Sequence, residues 1–183
     1  MSLVIITCPV DCENYLPPVD FSLCDPNVDF GEIERIYVTG QGNGLSDWTD
    51  ATEWAARLDN DTEDNDTLIR TLFVSGDQPP AESNETEISL CRKVYSEKDF
   101  TINFDVDETN ITNNDFMRLL ECGGTFTVWY AAGQYMYGGT TGVDVQMNMN
   151  NNITRGCNEL NLITGMAKWK AKHSPEKIVN PLT

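Results

Sequence analysis

This 183-residue chain has one histidine, no long apolar run, and few cations, with 12 Lys and Arg against 29 Asp and Glu. Each scarcity excludes something. The single imidazole, His173, sits in a tail rich in Lys and Pro, so a Ser or Cys nucleophile would have to draw its base from that one position. The chain therefore reads as a non-enzyme. A formal charge of −17 disfavours phosphate backbones and anionic membranes, because binding them by counterion release takes Lys and Arg. No stretch approaches the ~18 apolar residues of a membrane helix. The start, "MSLVIITCPVDC", lacks the basic flank and the apolar length of a secretory leader, so the chain reads as a soluble product of a cytoplasm with no membrane partner.

Ligand motifs are equally scarce. "GQGNG" at Gly40 to Gly44 has neither the lysine of a phosphate loop nor the spacing of a dinucleotide fingerprint, and reads as a strand-to-helix turn. The segment "DNDTEDNDT" packs Asp59, Asp61, Glu63, Asp64 and Asp66 into nine residues. As a calcium loop it fails, since a register from Asp59 puts Asp64 where glycine is required and Arg70 where glutamate is required. It is a candidate acidic loop, solvated or in contact with another subunit. Cys8, Cys12, Cys24, Cys91, Cys122 and Cys157 offer only a CxxxC pair beside one histidine, a poor zinc pattern, so they read as buried, reduced thiols. Asp105 and Asp107 alternate on one strand face, as a solvated face produces without any paired-carboxylate chemistry. Neither a metal nor a cofactor is expected.

What is present is a folding composition. Hydrophobic residues make up 40% of the chain, and a domain of this size can bury roughly 70% of its unfolded surface. The charge is uneven: residues 1 to 110 carry 24 acids and 6 bases, a formal −18, and residues 111 to 183 carry 5 acids and 6 bases, a formal +1.

Residues 1–31, with four of the eight prolines, read as an extended arm. Residues 32–172 read as one β-rich domain, and 173–183 as a C-terminal tail. "EIERIYVTG" and "LIRTLFVSG" are strands. Asp50 and Glu53 make a capping-box pattern that predicts a helix from Asp50 to Leu58. "QPPAESNE" reads as a loop, and "TEISLCRKVY" and "FTINFDVD" as neighbouring strands, the latter with Ile102, Phe104 and Val106 on one face. "TNNDFMRLLECGG" predicts a second helix capped by Asn113 or Asn114, burying Phe116, Leu119 and Leu120 and stopping at Gly123. A meander with turns at Gly133 and Gly138 to Gly142 follows, then "LNLITGMAKWKAK" as a closing strand. The class is mainly β: an antiparallel sandwich or barrel-like domain of seven to nine strands with two short helices and terminal arms.

Two clusters suit self-association. Lys168, Lys170 and Lys172 alternate with Ala167, Trp169 and Ala171, placing three cations on one side of a strand, either to protect an edge or to meet an acidic strip on another copy. Trp129, Tyr130, Tyr135 and Tyr137 form an aromatic group fit for a core, a subunit contact or a sugar platform.

The parts "DWTDATEWAARL", "NNDFMRLLECGG", "TVWYAAGQYMYGG" and the closing strand with its basic, proline-ended tail resemble small structural proteins of tailed-bacteriophage virions, particularly of phages infecting Bacteroidota, over most of the chain from Glu32 onward. Tail-tube subunits are the best fit within that group. The resemblance implies a virion protein made in the host cytoplasm, with a β-sandwich-like fold and a flanking helix. Its copies would close into rings, commonly hexameric, stack through loops and arms, and contact other virion proteins. It also implies an acidic lumen through which DNA passes without specific binding, since carboxylates repel phosphates. The six cysteines and the proline-rich start depart from a plain tube subunit. They leave open a capsid auxiliary or decoration protein, a neck component or a connector. From another class, the triplets NDT, NET and NIT and the even cysteine count suit a secreted, disulfide-bonded β-sandwich module that binds carbohydrate through Trp129 and the nearby tyrosines.

Overall fold

The computed structural model describes residues 31–59, 67–89, 92–107, 111–151 and 162–182. The N-terminal arm, Asp61, Glu63, Asp64 and Asp66 of the acidic loop, and every cysteine except Cys122 lie outside the described residues.

In chain order the elements are β1 (Ile33–Gly40), α1 (Ala51–Arg57), β2 (Arg70–Asp77), β3 (Glu82–Ser89), β4 (Arg92–Val106), α2 (Ile111–Glu121), β5 (Gly124–Ala132), β6 (Tyr135–Tyr137), β7 (Val143–Asn151), β8 (Ile163–Ala171) and β9 (Lys177–Val179). All named strands pair antiparallel, in the order β1-β2-β4-β8-β7-β5, and β5 returns to β1. That last pairing closes a six-strand barrel and removes the open edges a flat sheet would leave. Three strands lie outside the ring: β3 on β4, β6 on β5, and β9 on β6.

The barrel follows from alternation. Phe100, Ile102, Phe104 and Val106 of β4, Val145, Met147 and Met149 of β7, and Ile163, Ala167 and Trp169 of β8 point into one core, while the residues between them face out. β1 keeps Ile33 and Ile36, three apart, on that same side by slipping register between Ile33 and Arg35. The interior is filled by side chains. At Gly165 the inward position holds no side chain because the Phe104 ring occupies it. α2 links β4 to β5, contacts β7, and adds Met117 and Leu120 to the core.

β1 and β5 are buried on both faces. Their outer residues Tyr37, Trp129 and Ala131 join Leu45, Trp48, Trp54, Ile69 and Met136 in a second cluster. Trp54 anchors α1 there: its ring centroid lies 5.3 Å from Tyr37 and 5.3 Å from Trp129. A seven-residue helix has little stability of its own, so this burial holds it in place.

Several expectations need correction. "TEISLCRKVY" is not one strand: the chain reverses between Ser89 and Arg92, and Glu82–Ser89 pairs back on β4. "QPPAESNE" is correspondingly shorter as a loop, because Glu82 already belongs to β3. No Gly or Pro marks that reversal. α2 starts at Ile111, so Asn113 and Asn114 lie inside it; Leu120 is buried and Phe116 half-buried against the core as expected, but Met117 is buried where Leu119, 57% exposed, was expected. Asp50 does cap α1, accepting from the Thr52 N–H, but Glu53 reaches back past the cap residue to accept from the N–H groups of Ser46 and Asp47. The C-terminal tail contains a strand, β9, paired with β6.

Candidate functional site

The two sides of the barrel are finished differently. The β1–β5 side carries α1 and the tryptophan cluster, whereas on the β4–β8–β7 side the outward residues are exposed or half-buried.

Strand pairing sets these outward residues in rows. Asp99 of β4 lies opposite Lys170 of β8; next come Thr101, Lys168, Gln146 and Thr125, then Asn103, Met166 and Asn148, then Asp105, Thr164 and Asn150. The wall is therefore a lattice of amides, hydroxyls and a few charges, with Met166, 37% exposed, near its middle. It is also concave. An open groove of about 690 Å³ runs along Pro79, Glu82, Asp99, Lys168 and Lys170, floored by Phe100 and Trp169, and a second of about 270 Å³ lies around Asn103, Asn148 and Met166.

The charges on this wall are partly engaged. The Asn84 amide donates to Asp99 at 2.8 Å and Lys170 approaches it at 3.4 Å; these contacts, the amide foremost, hold the Asp99 carboxyl below its ordinary range. Asp144 accepts from the Thr127 hydroxyl at 2.7 Å. Lys168 and Lys172 are exposed.

Of the aromatic group, Trp129 and Tyr130 are buried, on opposite faces of β5. The Trp129 indole N–H donates to the Gly139 carbonyl, and Tyr130 donates to Gln78 and stacks on Tyr137 at 5.0 Å. Burial raises the Tyr130 phenol well above its usual range. Both side chains are core, with Trp129 0% and Tyr130 3% exposed. Tyr135 and Tyr137 are half-buried, and Lys177 of β9 lies 3.6 Å from the Tyr135 ring centre. The lysine strip divides as alternation requires: Lys168 and Lys170 face out, while Trp169 points in and stacks on Phe100 at 5.2 Å.

The base of the acidic loop is tied down. Asp59, at φ 45°, accepts from both the N–H and the hydroxyl of Thr71, and its own N–H donates to Ile69. The Arg57 guanidinium donates to the carbonyls of Asn43, Gly44 and Thr67 at 2.7, 2.7 and 2.8 Å, welding the "GQGNG" turn to the far end of the loop. Asp59 is thus a structural acceptor, and "GQGNG" is the strand-to-helix turn expected of it.

Sequence reasoning passed over the polar wall and Arg57. The alternation "VQMNMN" at Val145 to Asn150 held the signal for the wall, with amides at every second position. Among the described residues, no group of acidic, thiol and imidazole side chains converges as a metal site would, and no helix is long and apolar enough to cross a membrane. Comparison of the chain with protein families, with characterised proteins and with solved structures yields no match.

Proposed function

We propose that this chain is a non-enzymatic structural protein of a phage virion that assembles with its own copies, as a tail-tube subunit whose acidic lumen lets DNA pass. The observation that carries the self-assembly is a strand ribbon that outruns the barrel. β4 is 15 residues long, but β8 pairs with it over Lys98–Val106, so among the described residues Arg92–Glu97 is paired with β3 alone. A two-stranded ribbon is marginal in water by itself and gains stability when a neighbour covers it. A packed barrel interior and a charge of −17 suit a wall past which polyanions slide.

Negative-stain electron microscopy of purified protein over rising concentration tests the reading. Rings or tubes of identical subunits are expected, and monomers alone at millimolar protein would refute it. In a gel-shift assay at low salt, duplex DNA should migrate unchanged; a retarded band would remove the conduit role.

A further inference from the structure

We propose that Asn43–Gly44 is a self-modification site, at which the chain can convert its own backbone through a cyclic imide, and that the Arg57 guanidinium holds it unreactive in the folded protein. This goes beyond the self-assembling reading and stands without it.

The chain holds a single Asn-Gly dipeptide, at Asn43 and Gly44. In such a pair the Gly44 backbone nitrogen can attack the carbonyl carbon of the Asn43 side chain. A C–N bond forms, the side-chain amide leaves as ammonia with the N–H proton, and a five-membered imide results. Water then opens the imide. Cleaving the bond to the side-chain carbonyl leaves aspartate at position 43; cleaving the bond to the main-chain carbonyl leaves isoaspartate, which carries the main chain through an extra methylene. Glycine makes the attack easiest, because no side chain shields its N–H.

The fold requires that glycine. A Cβ on Gly44 would lie 2.9 Å from the Thr141 Cα and 3.2 Å from the Thr140 carbonyl oxygen, both of them backbone atoms. A bulkier residue therefore cannot replace it, and protection has to come from the surroundings.

Arg57 supplies it by fixing the torsion that ring closure must change. Bringing the Gly44 nitrogen to the side chain takes rotation about the Cα–C bond of Asn43, and that rotation swings the Asn43 carbonyl oxygen and the Gly44 peptide together. These are the groups that Arg57 grips: Nη2 donates to the Asn43 carbonyl and Nη1 to the Gly44 carbonyl, both at 2.7 Å. The planar fork keeps a fixed spacing between its donors, so neither carbonyl can turn without leaving it. The fork is anchored in turn, with Nε donating to the Thr67 carbonyl at 2.8 Å and Glu53 lying 4.0 Å from Nη1. The flanks are tied as well. The Asn43 N–H donates to the Gly40 carbonyl at 3.2 Å and the Leu45 N–H to the Thr140 carbonyl at 2.9 Å, while Glu53 accepts from Ser46 and Asp47. Imide formation must therefore await a local opening of this turn.

Peptide mapping by mass spectrometry, after incubation in mildly alkaline buffer, tests this by following aspartate and isoaspartate at position 43, with circular dichroism checking that each variant is folded. Native wild type should convert at least about tenfold more slowly than the same chain in urea, since only the opened turn reacts. Native Arg57→Met should convert about ten- to a hundredfold faster than native wild type, the population factor for losing charge-assisted hydrogen bonds. Arg57→Lys, whose single ammonium cannot span both carbonyls, should lie between them, and it carries the test if the methionine variant does not fold. Asn103 and Asn148, in β4 and β7, should keep their wild-type rates in both variants. Wild type that converts equally fast folded and in urea, an Arg57→Lys protein that matches wild type, or strand asparagines that accelerate in step with Asn43 would each overturn the assignment, the last by showing global unfolding in place of a released clamp.

Discussion

Replacing Trp54 with alanine should uncouple α1 from the barrel. The side chain is 0% exposed, wedged between Tyr37 and Trp129, and its indole N–H donates to the Trp48 carbonyl at 2.9 Å. Truncating so large a buried ring costs about 3–5 kcal/mol, through lost transfer energy and the cavity left behind. Nothing local compensates, because Trp54 is the sole fully buried residue of α1. For a domain of this length each kcal/mol lowers Tm by roughly 2–4 °C, so a fall of about 6–20 °C is expected. Trp54→Phe separates the two contributions. It keeps most of the ring packing but leaves the Trp48 carbonyl without its donor, at a cost of about 1–3 kcal/mol. Urea titrations followed by far-UV circular dichroism give both values, with the phenylalanine variant falling between wild type and alanine. A Trp54→Ala protein within about 1 kcal/mol of wild type would refute the reasoning, showing that the outer cluster is not part of the cooperative fold.

Two further outcomes follow from buried polar groups. Arg57→Met keeps the side-chain length but removes the donors to Asn43, Gly44 and Thr67; it should cost about 2–3 kcal/mol and speed amide exchange at Gly44 and Leu45, and unchanged exchange there would show that the guanidinium does not hold the turn. Burial raises the phenols of Tyr130 and, with Arg35 partly opposing, Tyr37, so each favours folding in its neutral form. That contribution is intact below the unfolded phenol value of about 10 and is lost as pH rises beyond it. Melting temperature should therefore drop above about pH 10, and Tyr130→Phe should lessen the drop; an equal drop in that variant would show that other groups set the alkaline limit.

How far the sequence foretold the architecture differs element by element, for physical reasons. Ile102, Phe104 and Val106 were legible because a two-residue period belongs to a half-buried strand alone, and β8 was legible from Ala167, Trp169 and Ala171 alternating with lysines. α1 was legible from its cap. Leu119 was misplaced because one turn of helix admits two apolar stripes, and the packing partner β7 chose the one through Met117 and Leu120. The β3–β4 reversal was missed because no turn residue marks it. For the aromatic group the sequence left core, subunit contact and sugar platform open; β5 is covered on both sides, so Trp129 and Tyr130 are core.

Charge, composition and periodicity are local properties, and they already specify an acidic, β-rich domain with two short helices. Tertiary structure alone decided that the sheet closes, because ring closure depends on β5 meeting β1 across some ninety residues, a pairing that no local pattern encodes. It also decided which polar alternations come together. Amides on β7 and lysines on β8 become one wall only when the strands lie side by side, with β1 carried to the opposite side of the barrel.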